Sequence, residues 1–206
     1  MPQLSLFPPA ESVLVDDAGG RIAYTPRFVP GSVAQDWFAE LRETVPWKAE
    51  RRRMYDRDVD VPRLTAHFPL GPEDPAPPDA IRHATERVAA STGVPFNSVG
   101  LNFYRDGRDS VAPHNDHLEV LVEGFPIALL SLGGTRRMTI RAKQPPRRAL
   151  HIDLEPGSLL MMSYATQLHY THGIPKTTDP VDPRISLAFR VKPARTTAAD
   201  EIAGPY

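Results

Sequence analysis

The chain has 206 residues, 41 % of them hydrophobic, a formal net charge of −1 and no cysteine. That length suits one domain with a sizeable core, and the charge excludes a globally basic nucleic-acid binder. Without cysteine there is no disulfide framework and no thiolate metal site, so any metal must sit on His and carboxylate.

Residues 1–31 are rich in Pro and Gly, with short strand-like pieces at 12–15 and 21–24, and read as an N-terminal extension. Met1-Pro2-Gln3-Leu4 lacks the basic start and apolar stretch of a signal peptide. No run reaches the ~18 apolar residues of a membrane span, so a cytoplasmic protein is expected. Ser32 reads as a helix N-cap, with Gln35 completing a capping box. Val33, Trp37, Leu41 and Val45 follow at helical spacing, and Pro46 ends the helix. Arg51-Arg52-Arg53 fits a phosphate-contacting patch and a solvated surface equally. The stretch 69–78 reads as a loop. A second helix is expected from Pro78-Asp79 to Ser91, with Ile81, Ala84 and Val88 on its apolar face and Gly93 beyond its end.

From Phe96 onward the texture is strand after strand, over 98–104, 126–132, 138–142, 149–154, 158–162, 168–171 and 185–191, with no third helix signal. Two helices followed by about seven short strands read as a mainly β fold with flanking helices. Its core is a double-stranded β-helix, a cupin-like jelly roll, in one domain over 32–195 with a tail at 196–206. A second basic cluster, Arg136, Arg137, Arg141, Lys143, Arg147 and Arg148, falls in this half. Its alternation along a strand predicts a one-sided stripe able to follow a phosphate backbone.

The chemistry-bearing residues are His114-Asn115-Asp116, His172, Arg184 and Arg190. Two His and a carboxylate can cap one face of a non-haem Fe(II) and leave three positions open. A downstream Arg can clamp the distal carboxylate of a keto-acid that chelates the metal. Alternation places His114 and Asp116 on one face, Asn102 with Tyr104, and Arg184 with Ser186 and Arg190, all aimed into one barrel. Ile185, Leu187 and Phe189 take the opposite face, toward the helices. Buried polar groups on this scale cost free energy unless they are paired or bind something. His151 and His169 have no partner at ligand spacing and read as structural or surface residues.

The candidate site residues fall within a set of seven stretches, N-F-Y at 102–104, D-G-x-D at 106–109, H-N-D at 114–116, S-L-G-x-x-R at 131–136, L-x-x-G-S-L-L-M-M at 154–162, H-G-I-P-K at 172–176 and R-I-S-L-A-F-R at 184–190. In this order and spacing the segment resembles the AlkB-type Fe(II)/2-oxoglutarate dioxygenases. V-P-R-L-T-A at 61–66 and T-G-V-P-F-N-S at 92–98 resemble its nucleic-acid repair branch. The resemblance implies Fe(II) on His114, Asp116 and His172. It implies 2-oxoglutarate held at its distal carboxylate by Asn102, Tyr104 and Arg184, with Arg190 and Ser186 near its metal-bound end. Ser186 stands where the family often has Asn. With O2, the implied reaction hydroxylates an N-methyl carbon while 2-oxoglutarate is decarboxylated to succinate, and the methyl group leaves as formaldehyde. The expected partner is alkylated DNA, preferentially single-stranded because the base must be flipped out, with RNA as a further substrate.

Two features depart from the repair members. Leu118, flanked by His117 and Glu119, stands where an acidic residue often helps read the base. The aromatic hairpin after V-P-R is replaced by the acidic stretch 69–78, leaving Tyr55, His67 and Phe68 as stacking candidates. These departures favour an alternative, the same oxygenase chemistry on a modified tRNA base or a protein. A jelly-roll binding module without turnover is a third reading, disfavoured by the full metal and keto-acid set. Arg136 and Arg141 are the expected backbone contacts. At the N-terminus, Gln3-Leu4-Ser5-Leu6-Phe7 resembles the pentapeptide by which bacterial repair proteins dock on the DNA sliding clamp. Nothing in the sequence demands more than a monomer.

Overall fold

The computed structural model describes residues 10–54 and 57–194, with only the backbone of 51–54 and 57–60. In chain order its elements are β1 (Ser12–Asp17), β2 (Gly20–Thr25), α1 (Gly31–Thr44), β3 (Lys48–Met54), β4 (Arg57–Pro69), α2 (Asp79–Thr92), β5 (Ser98–Tyr104) and β6 (Val111–His114). After a 3-10 turn at Leu118–Val120 come β7 (Ile127–Gly133), β8 (Arg136–Ala142), β9 (Ala149–Leu154), β10 (Leu159–Met162), α3 (Thr166–His169), β11 (Tyr170–Ile174) and β12 (Arg184–Arg190). The strands form an eight-stranded sheet, β1-β2-β10-β7-β12-β5-β4-β3, and a four-stranded sheet, β6-β11-β8-β9, in which every pairing is antiparallel. No described helix is long and apolar enough to cross a membrane.

Alternation along the central strands divides the apolar residues between two cores. Val99, Leu101, Leu130, Leu132, Leu159, Ile185, Leu187 and Phe189 face α1 and α2, where Trp37, Leu41, Ile81, Ala84 and Val88 cover them. Ile127, Leu129, Leu160, Met162 and Ala188 point the other way, onto Met138, Ile140, Ile152, Leu154 and Ile174 of the smaller sheet. Strands β7, β10 and β12 are thus covered on both faces, which is why β7 and β10 read as nearly unbroken apolar runs. The expected jelly-roll class and the two faces of β12 are borne out.

Several local expectations need correction. Helix α1 starts at Gly31 with Pro30 as N-cap and no side-chain cap, so Ser32 lies inside the first turn and makes no capping box with Gln35. The Ala34 amide donates to the Pro30 carbonyl at 2.9 Å, closing the first turn without a side chain. Helix α2, by contrast, begins after Pro78 and ends on Gly93 as expected, with the φ of 69° at Gly93 supplying the left-handed stop. A strand expected at 168–171 is instead the short α3 followed by β11. The β3–β4 hairpin was not legible as strands. It extends the larger sheet, pairing through β4 with β5. Strand β2 pairs with β10 of the larger sheet, and the expected boundary at 31/32 lies within the first turn of α1.

Candidate active site

Strands β6 and β11 pair so that His172 lies directly opposite His114, and their ring centroids are 4.5 Å apart. Gly173 permits this close approach. A Cβ there would meet the Val111 carbonyl oxygen at 2.8 Å and the Pro113 nitrogen at 3.0 Å. Strand β6 ends at His114, so Asp116 is brought round by the following turn and not by strand alternation. Three bonds set that turn and its side chain. The Asp116 amide donates to Gln167 Oε1 at 2.9 Å, the Asn115 side-chain amide donates to the Asp116 carbonyl at 3.2 Å, and Arg190 Nε donates to Asp116 Oδ2 at 2.6 Å. One ligand atom from each of His114, Asp116 and His172 then lies within 4.8 Å of the others.

The protonation states suit a metal. His114 Nδ1 is 3.0 Å from the Ala112 carbonyl, which can only accept, so this nitrogen is a donor and Nε2 is the one left to ligate. Burial, with His114 beside it, pushes the His172 imidazolium down to about 4, leaving a neutral ring. Burial pushes the Asp116 carboxyl up. The charge and hydrogen bond of Arg190 outweigh burial and hold it below the usual carboxylate range.

Behind this triad a cavity of about 180 Å³ runs between the sheets to Arg184. Arg184 is 0 % exposed. Its Nη2 donates to Ser131 Oγ at 2.9 Å, while Nε and Nη1 have no partner among the described residues. Burial lowers the pKa of this guanidinium, and the Tyr104 ring lies 5.2 Å from its Cζ. A buried cation with two idle donors is costly unless an anion completes it, and a carboxylate matches the guanidinium fork. Asn102, Tyr104, Ser186 and Arg190 line the same cavity, closed on its other sides by Ile127, Leu129, Met138, Met162 and Ile174. The residues present therefore fit both a divalent metal at the mouth and a small carboxylate at the inner end.

The 2OG-Fe(II) oxygenase superfamily model matches residues 21–190, the span of both sheets from β2 to β12. The chain belongs to that superfamily. Fe(II), 2-oxoglutarate and O2 are what this 2OG-Fe(II) oxygenase membership implies, and the metal-ligand set and guanidinium fork accommodate the first two. The chain is 35 % identical over 188 residues to human alpha-ketoglutarate-dependent dioxygenase alkB homolog 3, a match covering 82 % of this chain and 65 % of that protein. It is 38 % identical over 179 residues to human DNA oxidative demethylase ALKBH2, covering 76 % of this chain and 68 % of the relative. The Arabidopsis thaliana DNA oxidative demethylase ALKBH2 is 26 % identical over 211 residues, covering 84 % and 67 %. The chain thus spans just under two thirds of the length of the first relative, and the AlkB resemblance read from the motifs stands.

Of the residues singled out in the sequence, this 2OG-Fe(II) oxygenase brings His114, Asp116, His172, Asn102, Tyr104, Arg184, Ser186 and Arg190 together. The substrate candidates scatter. Tyr55 and Gln3–Phe7 lie outside the described residues. Phe68 packs against the helix-side core and stays partly exposed. Leu118 turns onto the core between the sheets, while His117 and Glu119 remain exposed and pair with each other at 2.9 Å. His67 meets Ser98 Oγ at 2.9 Å. Arg136 is not on the surface. It is 3 % exposed and donates to the carbonyls of Asp106, Asp109 and Pro175 at 2.8–2.9 Å. The outward residues of β8 are Arg137, paired with Asp153 at 2.8 Å, and Arg141. His151 contacts Thr139 and His169 is exposed, so neither joins the triad.

Sequence reasoning missed Arg63 and Gln167. Arg63 lines the cavity and donates from Nε to Asn102 Oδ1 at 2.5 Å. Its signal was parity, since Arg63, Thr65 and His67 alternate along β4 with Leu64, Ala66 and Phe68. Gln167 carried no sequence signal, because it lies in the stretch misread as the approach to a strand.

Proposed function

We propose that this chain is an Fe(II)/2-oxoglutarate-dependent oxidative demethylase of alkylated bases in DNA, acting in alkylation-damage repair, with RNA as a further substrate. The carrying observation is one cavity with a His–Asp–His face at its mouth and the incompletely bonded guanidinium of Arg184 at its inner end. The DNA oxidative demethylase names of the two ALKBH2 relatives support the choice of nucleic acid. In this reading His114, Asp116 and His172 hold Fe(II). Arg184, Tyr104 and Asn102 hold the distal carboxylate of 2-oxoglutarate, with Ser186 and Arg190 beside its metal-bound end.

When bound, the iron activates O2 with electrons from 2-oxoglutarate to oxidise an N-alkyl carbon of the base. The chain's own residues orient and exclude. Arg184 neutralises the distal carboxylate and so fixes which end of the cosubstrate faces the triad. Arg190 keeps Asp116 ionised and aimed. Ile127, Leu129, Met138, Met162 and Ile174 keep water from the inner cavity.

The strand is held outside the cavity. Arg141 and Lys176, neither in an ion pair among the described residues, border a depression of about 220 Å³ beside the smaller sheet. Two free cations there suit a phosphate backbone. A single strand is the preferred substrate, since extruding its base costs least. Gln3–Phe7 is proposed to dock on the sliding clamp, and the enzyme to act as a cytoplasmic monomer.

The test is incubation with Fe(II), ascorbate, 2-oxoglutarate and single-stranded oligonucleotides carrying 1-methyladenine or 3-methylcytosine, read by mass spectrometry. Loss of one methyl group with wild type and none with His114→Ala is expected. Succinate formation without demethylation of either oligonucleotide would retain the oxygenase and overturn this substrate.

A further inference from the structure

The carboxylate ligand sits outside the regular ladder. His114 and His172 are held by cross-strand pairing, but Asp116 lies in the turn between β6 and the 3-10 helix, where no sheet hydrogen bond sets its backbone. One long-range contact does so. The Asp116 amide donates to Gln167 Oε1 at 2.9 Å across 51 residues of chain. Gln167 is 1 % exposed. Its Nε2 donates to Thr166 Oγ1 at 3.2 Å, and Thr166 Oγ1 donates to the Ser163 carbonyl at 2.6 Å. The Gln167 carbonyl in turn accepts from Lys143 Nζ at 2.9 Å.

Every polar group of Gln167 apart from its own amide is thus spent on holding α3 or on the Asp116 turn, and that amide bonds the Tyr164 carbonyl at 3.1 Å. This gives the short helix a purpose: a strand here would alternate its side chains, whereas one helical turn buries Gln167 and aims its carboxamide at the ligand loop.

We infer that Gln167 is the positioning residue for Asp116, acting on metal affinity through the ligand's backbone and touching neither metal nor cosubstrate. The inference rests on the reading of His114, Asp116 and His172 as the metal site. Removing the acceptor leaves the Asp116 amide unpaired and frees the turn, so Arg190 alone steers the carboxylate. Groups of this kind, one bond behind a ligand, typically change metal affinity by roughly ten- to hundredfold.

The experiment measures Mn(II) binding calorimetrically to the full chain and to Gln167→Met, Gln167→Glu and His114→Ala, with a melting curve of each metal-free protein. Expected are a ten- to hundredfold weaker Mn(II) affinity for Gln167→Met and near wild-type affinity for Gln167→Glu, which keeps an acceptor. 2-Oxoglutarate affinity at saturating Mn(II) should be unchanged in both. Unaltered Mn(II) affinity in Gln167→Met overturns the inference. So does equal weakening in Gln167→Glu and Gln167→Met, or a loss of affinity that merely tracks loss of folded protein. Wild type binding Mn(II) no better than His114→Ala overturns the metal site itself, a result distinct from the others.

Discussion

Arg190 and Asp116 form a largely buried ion pair, Nε to Oδ2 at 2.6 Å, that ties β12 of the larger sheet to the turn carrying the carboxylate ligand. Arg190 also donates from Nη1 to the Ala188 carbonyl at 3.0 Å, so its guanidinium is fixed before any ligand arrives. In Arg190→Met the Asp116 charge remains with one counter-cation fewer. Breaking such a pair costs on the order of 3 kcal/mol when the remaining charge stays buried. A bound divalent cation supplies the missing charge, so the loss should be clearly smaller with Mn(II) present. Melting curves with and without Mn(II) check this; equal losses in both would show that Arg190 contributes packing alone.

Arg184 is held against its own interest. A fully buried guanidinium with two idle donors destabilises the ligand-free protein, and residues kept for binding often do so. Arg184→Met should therefore melt no lower than wild type without ligand, and it should lose the rise in melting temperature that 2-oxoglutarate gives wild type. Cosubstrate affinity should fall roughly a hundredfold, the worth of a charge-assisted bidentate contact. A variant that still binds 2-oxoglutarate normally removes Arg184 from the carboxylate site.

Arg136 and Arg141 lie five residues apart on β8, hence on opposite faces, and should behave in opposite ways. Arg136 joins three carbonyls from the β5–β6 loop and the end of β11, and its Cζ lies 5.6 Å from the Tyr104 ring. Arg136→Met should cost about 3 kcal/mol of stability and leave the salt dependence of single-strand binding unchanged. Arg141→Ala should leave stability within about 0.5 kcal/mol and reduce the slope of log affinity against log salt by about 1. Urea titrations and salt-series binding to an oligonucleotide separate the two.

That contrast shows where the sequence was legible. Alternation at 184, 186 and 190 against 185, 187 and 189 identified both faces of β12, because apolar and polar residues there segregate cleanly. The same rule held the answer for Arg136, which shares parity with Met138 and Ile140, but a charged residue was read as outward by type. Strand β3, with its K-A-E-R-R-R-M sequence, has no apolar alternation to announce it and owes its form to pairing with β4. Helix α3 is a single turn, too short for any helical period. The triad itself was visible as residue types, whereas the 58-residue separation of His114 and His172 concealed that they are cross-strand partners.

Asp109 should give the protein a distinct acid limb. Its side chain is 6 % exposed and accepts from Arg105 Nε and Nη2 at 2.8 and 2.9 Å and from the Arg105 amide at 2.9 Å. Burial pushes this carboxyl up, but the three bonds and charge of Arg105 outweigh burial and hold it below the ordinary value of 3.8. A carboxylate whose folded pKa is depressed stabilises the fold above its unfolded pKa, and that stability is lost as pH falls through the folded value. Asp109→Asn, which cannot ionise, should cost about 1–2 kcal/mol at neutral pH and progressively less as the pH falls below the ordinary carboxylate value, so its stability falls less steeply on the acid side. Because the Asp109 carbonyl also receives Arg136 Nη2 at 2.9 Å, the loop leading to His114 should loosen with it. Denaturant titrations between about pH 7 and pH 3 decide the matter: parallel curves for wild type and Asp109→Asn would mean that the Arg105 pair carries no pH-dependent stability.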